Sequence, residues 1–263
     1  MSNIHFVGGE KGGIGKSVLA RVLAQYHVDR DLPFCAFDSD QSHGALLRFY
    51  GDYASPIAID AFESADLVME TALERPQDVI VDLAAQTTRP LLRWIDDNDL
   101  IALAEQEGVG IVFWHLLDDG ADSIALLREL LRRQGIGERI IAVRNYGRGR
   151  DFGAFDRSAE RAEAERRGAR LVDLPGLHES TMRKVDHQGA SFWAAAHNPD
   201  SLGLMDRQRV KVWLRRVYAP LDAMAADVFV APRAGGEEAV AARALSGGEA
   251  AAGAEVPGAS TTG

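Results

Sequence analysis

The segment that most restricts how this chain folds lies near its start. A short apolar stretch over 4–7 leads into Gly8-Gly9-Glu10-Lys11-Gly12-Gly13-Ile14-Gly15-Lys16-Ser17, and an amphipathic run follows over 17–28. Glycines at 12, 13 and 15 let backbone N–H groups converge and let an anion approach with no Cβ in the way. A helix starting near Ser17 aims its positive end at the same point. Lys16 then reaches β and γ phosphates, and the Ser17 hydroxyl is a ligand for Mg²⁺. The usual phosphate-loop spacing has glycine where this chain has Glu10, so the pattern departs at one position. A buried strand before the loop and a helix after it supply the context the pattern needs.

The rest of the chain repeats that alternation. Candidate strands fall over 4–7, 34–37, 56–59, 79–82, 110–115, 140–144 and 170–174, and several are apolar almost throughout. Continuous apolar runs of that length suit strands buried on both faces of a parallel sheet. Helical patterns separate them over 17–28, 64–73, 90–105, 121–134, 158–167 and 202–219. The expected fold is a single doubly wound α/β domain over 1–230, with a mostly parallel central sheet flanked by helices. Residues 231–263 are mostly Ala, Gly, Ser and Glu with no aromatic residue, and are expected to remain a disordered tail.

Composition removes several functions. The formal net charge is −10, so contact with a polyanion requires a local basic patch. The single cysteine, Cys35, allows no internal disulfide and no tetrathiolate metal site, and its apolar surroundings suit a small buried residue. The start of the chain lacks the basic and long apolar regions of a signal peptide, and no run approaches about 18 apolar residues. These features lead to an expectation of a cytoplasmic protein without a transmembrane segment.

The string Lys11-Gly12-Gly13-Ile14-Gly15-Lys16-Ser17 resembles the deviant Walker A loop of the MinD/ParA family of P-loop ATPases, KGGxGK[ST]. The resemblance implies binding of ATP and Mg²⁺ by Gly12, Gly13, Ile14, Gly15, Lys16, Ser17 and Val18. It makes Lys11 the family's signature lysine, which reaches across a homodimer interface to the nucleotide held by the other subunit. A cation supplied in trans would stabilise charge gathering on phosphate oxygens during γ-phosphoryl transfer. After the second strand, "FDSDQSHG" matches switch I. Asp40 then orients the attacking water, Asp38 is a supporting carboxylate near the metal, and His43 has no assigned role. "DVIVDLAAQTTRP" resembles Walker B and switch II. Its Asp82 ends an apolar strand, where a carboxylate holding Mg²⁺ through water belongs, but the switch lacks the glycine often found there.

On the adenine side, the resemblance has Asn145 contacting the base and Leu174-Pro175-Gly176 lining it, although core or turn roles suit Pro175 and Gly176 equally. Residues 78–91 and 110–123 are also similar to the StbB/TraL-like ATPases of plasmid mobilisation and stability systems. Members of the wider family hydrolyse ATP slowly, respond to a stimulating protein partner, and hold DNA, a membrane or a protein as ATP-bound dimers.

The last helical pattern bears on that surface. Val210, Trp213, Leu214, Val217 and Leu221 share one face, and Arg207, Lys211 and Arg215 another. The apolar face suits packing on the sheet. The basic face is either simply solvated or a non-specific DNA contact; membrane contact is less favoured because an acidic, polar tail follows. Two other classes stand beside the ATPase switch: a biosynthetic or metal-handling enzyme on the same fold, and a nucleotide-binding regulator without turnover. Cys35 standing alone speaks against cluster carriers, Lys11 against the biosynthetic relatives, and Asp40 with Asp82 against loss of turnover.

Overall fold

The computed structural model describes residues 1–231 except 10, 41–43, 134, 137 and 138. Seven strands form one sheet: β1 (Ser2–Gly8), β2 (Phe34–Asp38), β3 (Ala54–Pro56), β4 (Asp78–Asp82), β5 (Val109–Leu117), β6 (Ile140–Asn145) and β7 (Arg170–Leu174). Their order is β3-β2-β4-β1-β5-β6-β7, and every pairing is parallel. The helices are α1 (Lys16–Asp29), α2 (Ala45–Phe49), α3 (Phe62–Glu74), α4 (Thr88–Asp97), α5 (Leu100–Glu107), α6 (Ala121–Leu131), α7 (Gly153–Asp156), α8 (Ala159–Arg166), α9 (Glu179–Gln188), α10 (Phe192–His197) and α11 (Leu204–Val228).

Side chains alternate across the sheet and both faces are covered. Phe6, Val79, Val81, Ile111, Phe113 and Ile140 enter one core with α3, α4, α5, α6 and α8. Val7, Ile80, Trp114, Leu116, Ile141 and Val143 enter the other with α1, α2, α9, α10 and α11. This two-sided burial is why the middles of several strands, such as 79–81, 111–114 and 140–143, are wholly apolar. From the central β1 the chain winds out to β2 and β3, returns through β4, and then builds outward on the other side through β5, β6 and β7. The crevice outside the strand C-termini at such a reversal is where ligands of open α/β sheets bind, and the glycine-rich loop leaves β1 there.

The boundaries depart from the sequence reading at particular residues. The helix expected over 90–105 is broken into α4 and α5 at Asp99, whose φ is +48°. The last helix runs through Pro220 to Val228 instead of stopping at 219, because Leu221, Met224 and Val228 continue its buried stripe. The third strand is Ala54–Pro56 rather than 56–59, and Ile57 and Ile59 are buried in the loop that follows. Cys35 is only partly buried, against the core that holds Phe6 and Val79, and burial pushes its thiol up to about 11. The expected tail lies outside the described residues apart from Ala231.

The opposite end of the sheet is tied by one buried carboxylate. Asp78, fully buried, accepts from Asn3 Nδ2 at 3.0 Å and the Val230 N–H at 3.0 Å, with His27 Nε2 at 2.9 Å and His5 Nε2 at 3.4 Å. Phe229 packs against His5, His27 and Trp114, so this cluster fastens the end of α11 beneath β1 and α1. Burial alone would raise the pKa of Asp78, but the contacts from His27 and His5 outweigh it and hold the group below its usual range. A depressed carboxylate pKa stabilises the fold above the unfolded value of about 4, and the contribution fades as pH falls through the folded value. Asp78→Ala is expected to cost about 3 kcal/mol in urea unfolding at pH 7, with a smaller difference from wild type below about pH 4.

Candidate functional site

The loop at the C-terminal end of β1 is shaped by glycine geometry. Gly13 has φ +79° and no atom within 4 Å of where a Cβ would stand, so this part of the loop faces open space. Gly15, at φ +102°, is the N-cap of α1, and a Cβ there would lie 2.3 Å from Asn145 Nδ2. Only glycine satisfies both the left-handed backbone and that contact. Ile14 is buried beneath the loop, and Val18, in the first turn of α1, is partly buried.

Both loop lysines contact protein groups. Lys16 is 7% exposed and its Nζ donates to the Lys11 carbonyl oxygen at 3.2 Å. The Lys11 side chain is half exposed, and its Nζ lies 2.8 Å from Asp118 Oδ2, just beyond the end of β5. The hydrogen bond and charge of Asp118, outweighing desolvation and joined by Asp122 and Asp119, raise the Lys11 pKa. Burial would raise Asp118, but bonds from Lys11, Gly120 and Ser123 bring it below its usual value.

Three strand ends bring the carboxylates together. Val7 of β1 is in register with Asp82 of β4, which is in register with Asp38 of β2. Asp82 is 2% exposed, and neither of its oxygens meets a donor in hydrogen-bond geometry. Burial first, then the charge of Asp38, push its pKa up to about 7, opposed by the Ser17 hydroxyl and the Lys16 ammonium. An orphaned buried carboxylate beside a serine hydroxyl fits a cation site. Among the described residues there is no cage of three or more His, Cys, Asp or Glu.

Asp38, expected near the metal, is fully buried beside Asp82, but its oxygens accept backbone bonds. Oδ1 takes the Asp40 N–H at 3.0 Å, and Oδ2 takes those of Leu46 at 2.8 Å and Leu47 at 3.4 Å. It therefore caps α2 and folds the segment carrying Asp40, which stays partly exposed near enough for its charge to raise Asp82. Burial raises Asp38 itself, against those backbone bonds. His43 lies outside the described residues. Ser39, not singled out from the sequence, joins the two acidic loops: its Oγ donates to the Asp82 carbonyl at 3.1 Å and accepts the Ala84 N–H at 2.8 Å. In the following loop Gln86 adopts φ +65°, supplying the left-handed turn without a glycine.

A cleft of about 210 Å³ opens beside Gly15 and Val18, lined further by Leu174, Pro175, Met182 and Trp213. Asn145 borders it with both ends of its amide engaged. Nδ2 donates to the Ile14 carbonyl at 2.7 Å and Oδ1 accepts the Gly147 N–H at 2.9 Å. The Pro175 carbonyl accepts from Trp213 Nε1 at 2.6 Å. In this structure Asn145 braces the phosphate loop and Pro175 anchors α11. Neither side of that brace was legible in sequence, because the partners lie 131 and 38 residues away.

On α11, Val210, Trp213, Leu214, Val217 and Leu221 are buried on the sheet. Lys211, Arg215 and Arg216 are exposed and form no ion pair with other described residues, whereas Arg207 bonds the Leu202 carbonyl and Arg209 pairs with Asp206. Among the described residues no helix is long and apolar enough to cross a membrane.

Parallel strand order, glycine loop and carboxylates at the strand ends define the class, a P-loop NTPase fold. No protein-family model matches the chain. It is similar to Protein TraL of Escherichia coli, at 24% identity over 241 residues, covering 86% of this chain and 99% of that one. A second Protein TraL of Escherichia coli is 23% identical over 242 residues, covering 84% and 98%. Protein MobD of Acidithiobacillus ferrooxidans is 25% identical over 179 residues, covering 66% and 78%. A solved ParA family ATPase from Chlorobium tepidum TLS superposes with TM-score 0.45 at 15% identity, covering 81% of this chain and 98% of that one. The TraL-like subgroup indicated by residues 78–91 and 110–123 is the one these relatives carry by name.

Two stability measurements test the geometry. A carboxylate whose folded pKa is raised destabilises the fold increasingly as pH climbs from the unfolded value to the folded one. In metal-free buffer at pH 8, Asp82→Asn is therefore expected to be more stable than wild type by about 3 kcal/mol, and the gain shrinks at pH 5. Asn145→Ala strips the Ile14 carbonyl of its partner and is expected to cost about 2 kcal/mol in urea unfolding.

Proposed function

We propose that this chain is an ATPase switch that binds ATP and Mg²⁺, closes as a homodimer, and positions or partitions DNA or a protein complex in plasmid mobilisation or stability. The observation that carries the reading is Asp82, a buried carboxylate with both oxygens unpaired beside Ser17 and the phosphate loop. A fold selected for stability alone leaves few such groups. Similarity along nearly the whole length of TraL supports the plasmid-related duty.

In this reading the loop amides over 12–17 bind the phosphates and Lys16 exchanges the Lys11 carbonyl for them. Ser17 and Asp82 hold Mg²⁺, which when bound neutralises phosphate charge. Asp38 accepts the N–H of Asp40 and that of Leu46 at the start of α2, so Asp40 stands where it orients a water for in-line attack. Each subunit's Lys11 crosses to the other's nucleotide and stabilises the charge developing there. Ser39 links the Asp40 loop to the Asp82 loop, so release of phosphate relaxes both together and the dimer opens. The exposed Lys211, Arg215 and Arg216 of α11 offer a non-specific phosphate-backbone contact.

A nucleotide-binding regulator without turnover is the second reading, favoured by Gln86 where a glycine would give switch II freedom. Phosphate release and light scattering separate the two. Under the ATPase reading Lys16→Ala loses ATP binding, Lys11→Ala stays monomeric with ATP–Mg²⁺, and Asp40→Ala accumulates as an ATP-loaded dimer. Normal hydrolysis by Asp40→Ala would sink its assigned role, and ATP binding without phosphate release in the wild type would select the regulator. The same dimer, presented with DNA and with anionic vesicles, reports the surface it holds.

A further inference from the structure

Helices α1, α2, α9 and α10 meet at a buried arginine that no step above uses. Arg21 lies four residues after Ser17 on α1 and is 3% exposed. Its guanidinium carbon stands 3.7 Å from the centroid of the Phe49 ring, at the end of α2, and 4.6 Å from that of Phe192, at the start of α10. Nη1 donates at 2.8 Å to Oδ1 of Asp186 on α9, a residue that borders the cleft beside Gly15. Nε and Nη2 are buried and meet no acceptor in hydrogen-bond geometry, so the two rings are the other support of this cation. Neighbouring residues tighten the same joint. Arg48 Nη2 donates to the Asp186 carbonyl at 2.8 Å. The Tyr50 hydroxyl donates to Gln25 Oε1 on α1 at 3.0 Å and accepts the Phe192 N–H at 3.2 Å. Stability alone is a poor reason for an arginine here, because an apolar side chain of similar volume in place of a buried charge often leaves a fold as stable or more so. The other end of α2 reaches the candidate site. One oxygen of Asp38 accepts the N–H groups of Leu46 and Leu47, and the other accepts that of Asp40. A single carboxylate therefore ties the Asp40 backbone to the helix that Arg21 holds.

We propose that Arg21 is a positioning residue: by holding α2 against α1, α9 and α10 it fixes, through Asp38, where the Asp40 carboxylate stands. The proposal rests on the reading in which Asp40 orients the attacking water. Helix α1 begins with Lys16 and Ser17. Arg21 thus refers the placement of Asp40 to the same rigid element that presents those two groups. A guanidinium suits the task because it is planar, packs on aromatic faces and bonds a carboxylate through its edge. An unbranched apolar chain fills the space but imposes no one orientation on its neighbours. Turnover tolerates little displacement of the group that orients the water. Binding of phosphates by the loop amides over 12–17 makes no use of α2. Loss of Arg21 therefore falls on turnover and spares binding.

The test is kcat and KM for ATP–Mg²⁺ by phosphate release, with wild type, Arg21→Met and Phe49→Leu at one protein concentration. Sites are counted by nucleotide bound at saturation, so that an unfolded fraction does not pass for slow turnover. Arg21→Met is expected to lose about ten-fold in kcat per site, with KM within about two-fold of wild type. An unchanged kcat per site in the folded variant overturns the proposal, whatever its urea midpoint, and leaves the ATPase reading standing. A raised KM with kcat unchanged overturns it in the same way, by placing Arg21 in binding. Absence of phosphate release from the wild type removes the ATPase reading and this proposal with it. If thermal melting shows Arg21→Met unfolded, Phe49→Leu, which takes away one ring and keeps the Arg21–Asp186 pair, stands in its place and is read by the same criteria.

Discussion

One row of register partners organises this molecule. Val7, Asp82 and Asp38 sit side by side across β1, β4 and β2, at the ends from which the three loops leave. The pairing forces two carboxylates into a buried neighbourhood where each raises the cost of charging the other. Asp38 is satisfied by three backbone N–H groups and Asp82 by none in good geometry. The same row therefore yields one carboxylate satisfied by backbone and one whose oxygens meet no donor in hydrogen-bond geometry. Neighbouring positions in a ladder acquire opposite chemical roles through what the following loop offers them.

The phosphate loop is held from three sides by parts of the chain distant in sequence. Asn145 fixes the Ile14 carbonyl from β6, Asp118 takes the Lys11 ammonium after β5, and Lys16 closes onto the loop's own backbone. The two lysines differ in the way their environments predict. Lys16 is buried near Asp82, and the half-exposed Lys11 side chain reaches a carboxylate beyond β5. With the Lys11 ammonium on Asp118 and that of Lys16 on the loop backbone, open space remains at Gly12 and Gly13.

Much of the fold was legible because the physics behind it is local. Both faces of the sheet are covered, so β4 reads Val79-Ile80-Val81 without polar interruption, and β5 and β6 carry the similar stretches 111–114 and 140–143. The loop's backbone was legible because glycines at that spacing permit the left-handed turns seen at Gly13 and Gly15. Errors arose where a local rule met a tertiary one. Proline argues for a helix end at 219, yet packing of Leu221, Met224 and Val228 carries α11 through it. Apolar spacing over 90–105 argues for one helix, and the left-handed turn at Asp99 makes it two. Ile57 and Ile59 have the pattern of a strand but fill a core from a loop.

The sequence by itself determined a parallel α/β fold, a glycine-rich loop with two lysines after its first strand, and acidic residues at the ends of the second and fourth, since each follows from residue type at short spacing. Only the tertiary structure decided which acid is spent and which is left open, that Asn145 spends its amide on the loop, and that Lys11 rests on Asp118. Those outcomes depend on contacts between residues separated by 44 positions in the Asp38–Asp82 row and by 107 and 131 in the two side-chain bonds. Hydrogen-bond partners are chosen by distance and angle after the sheet has assembled, and a linear pattern carries neither.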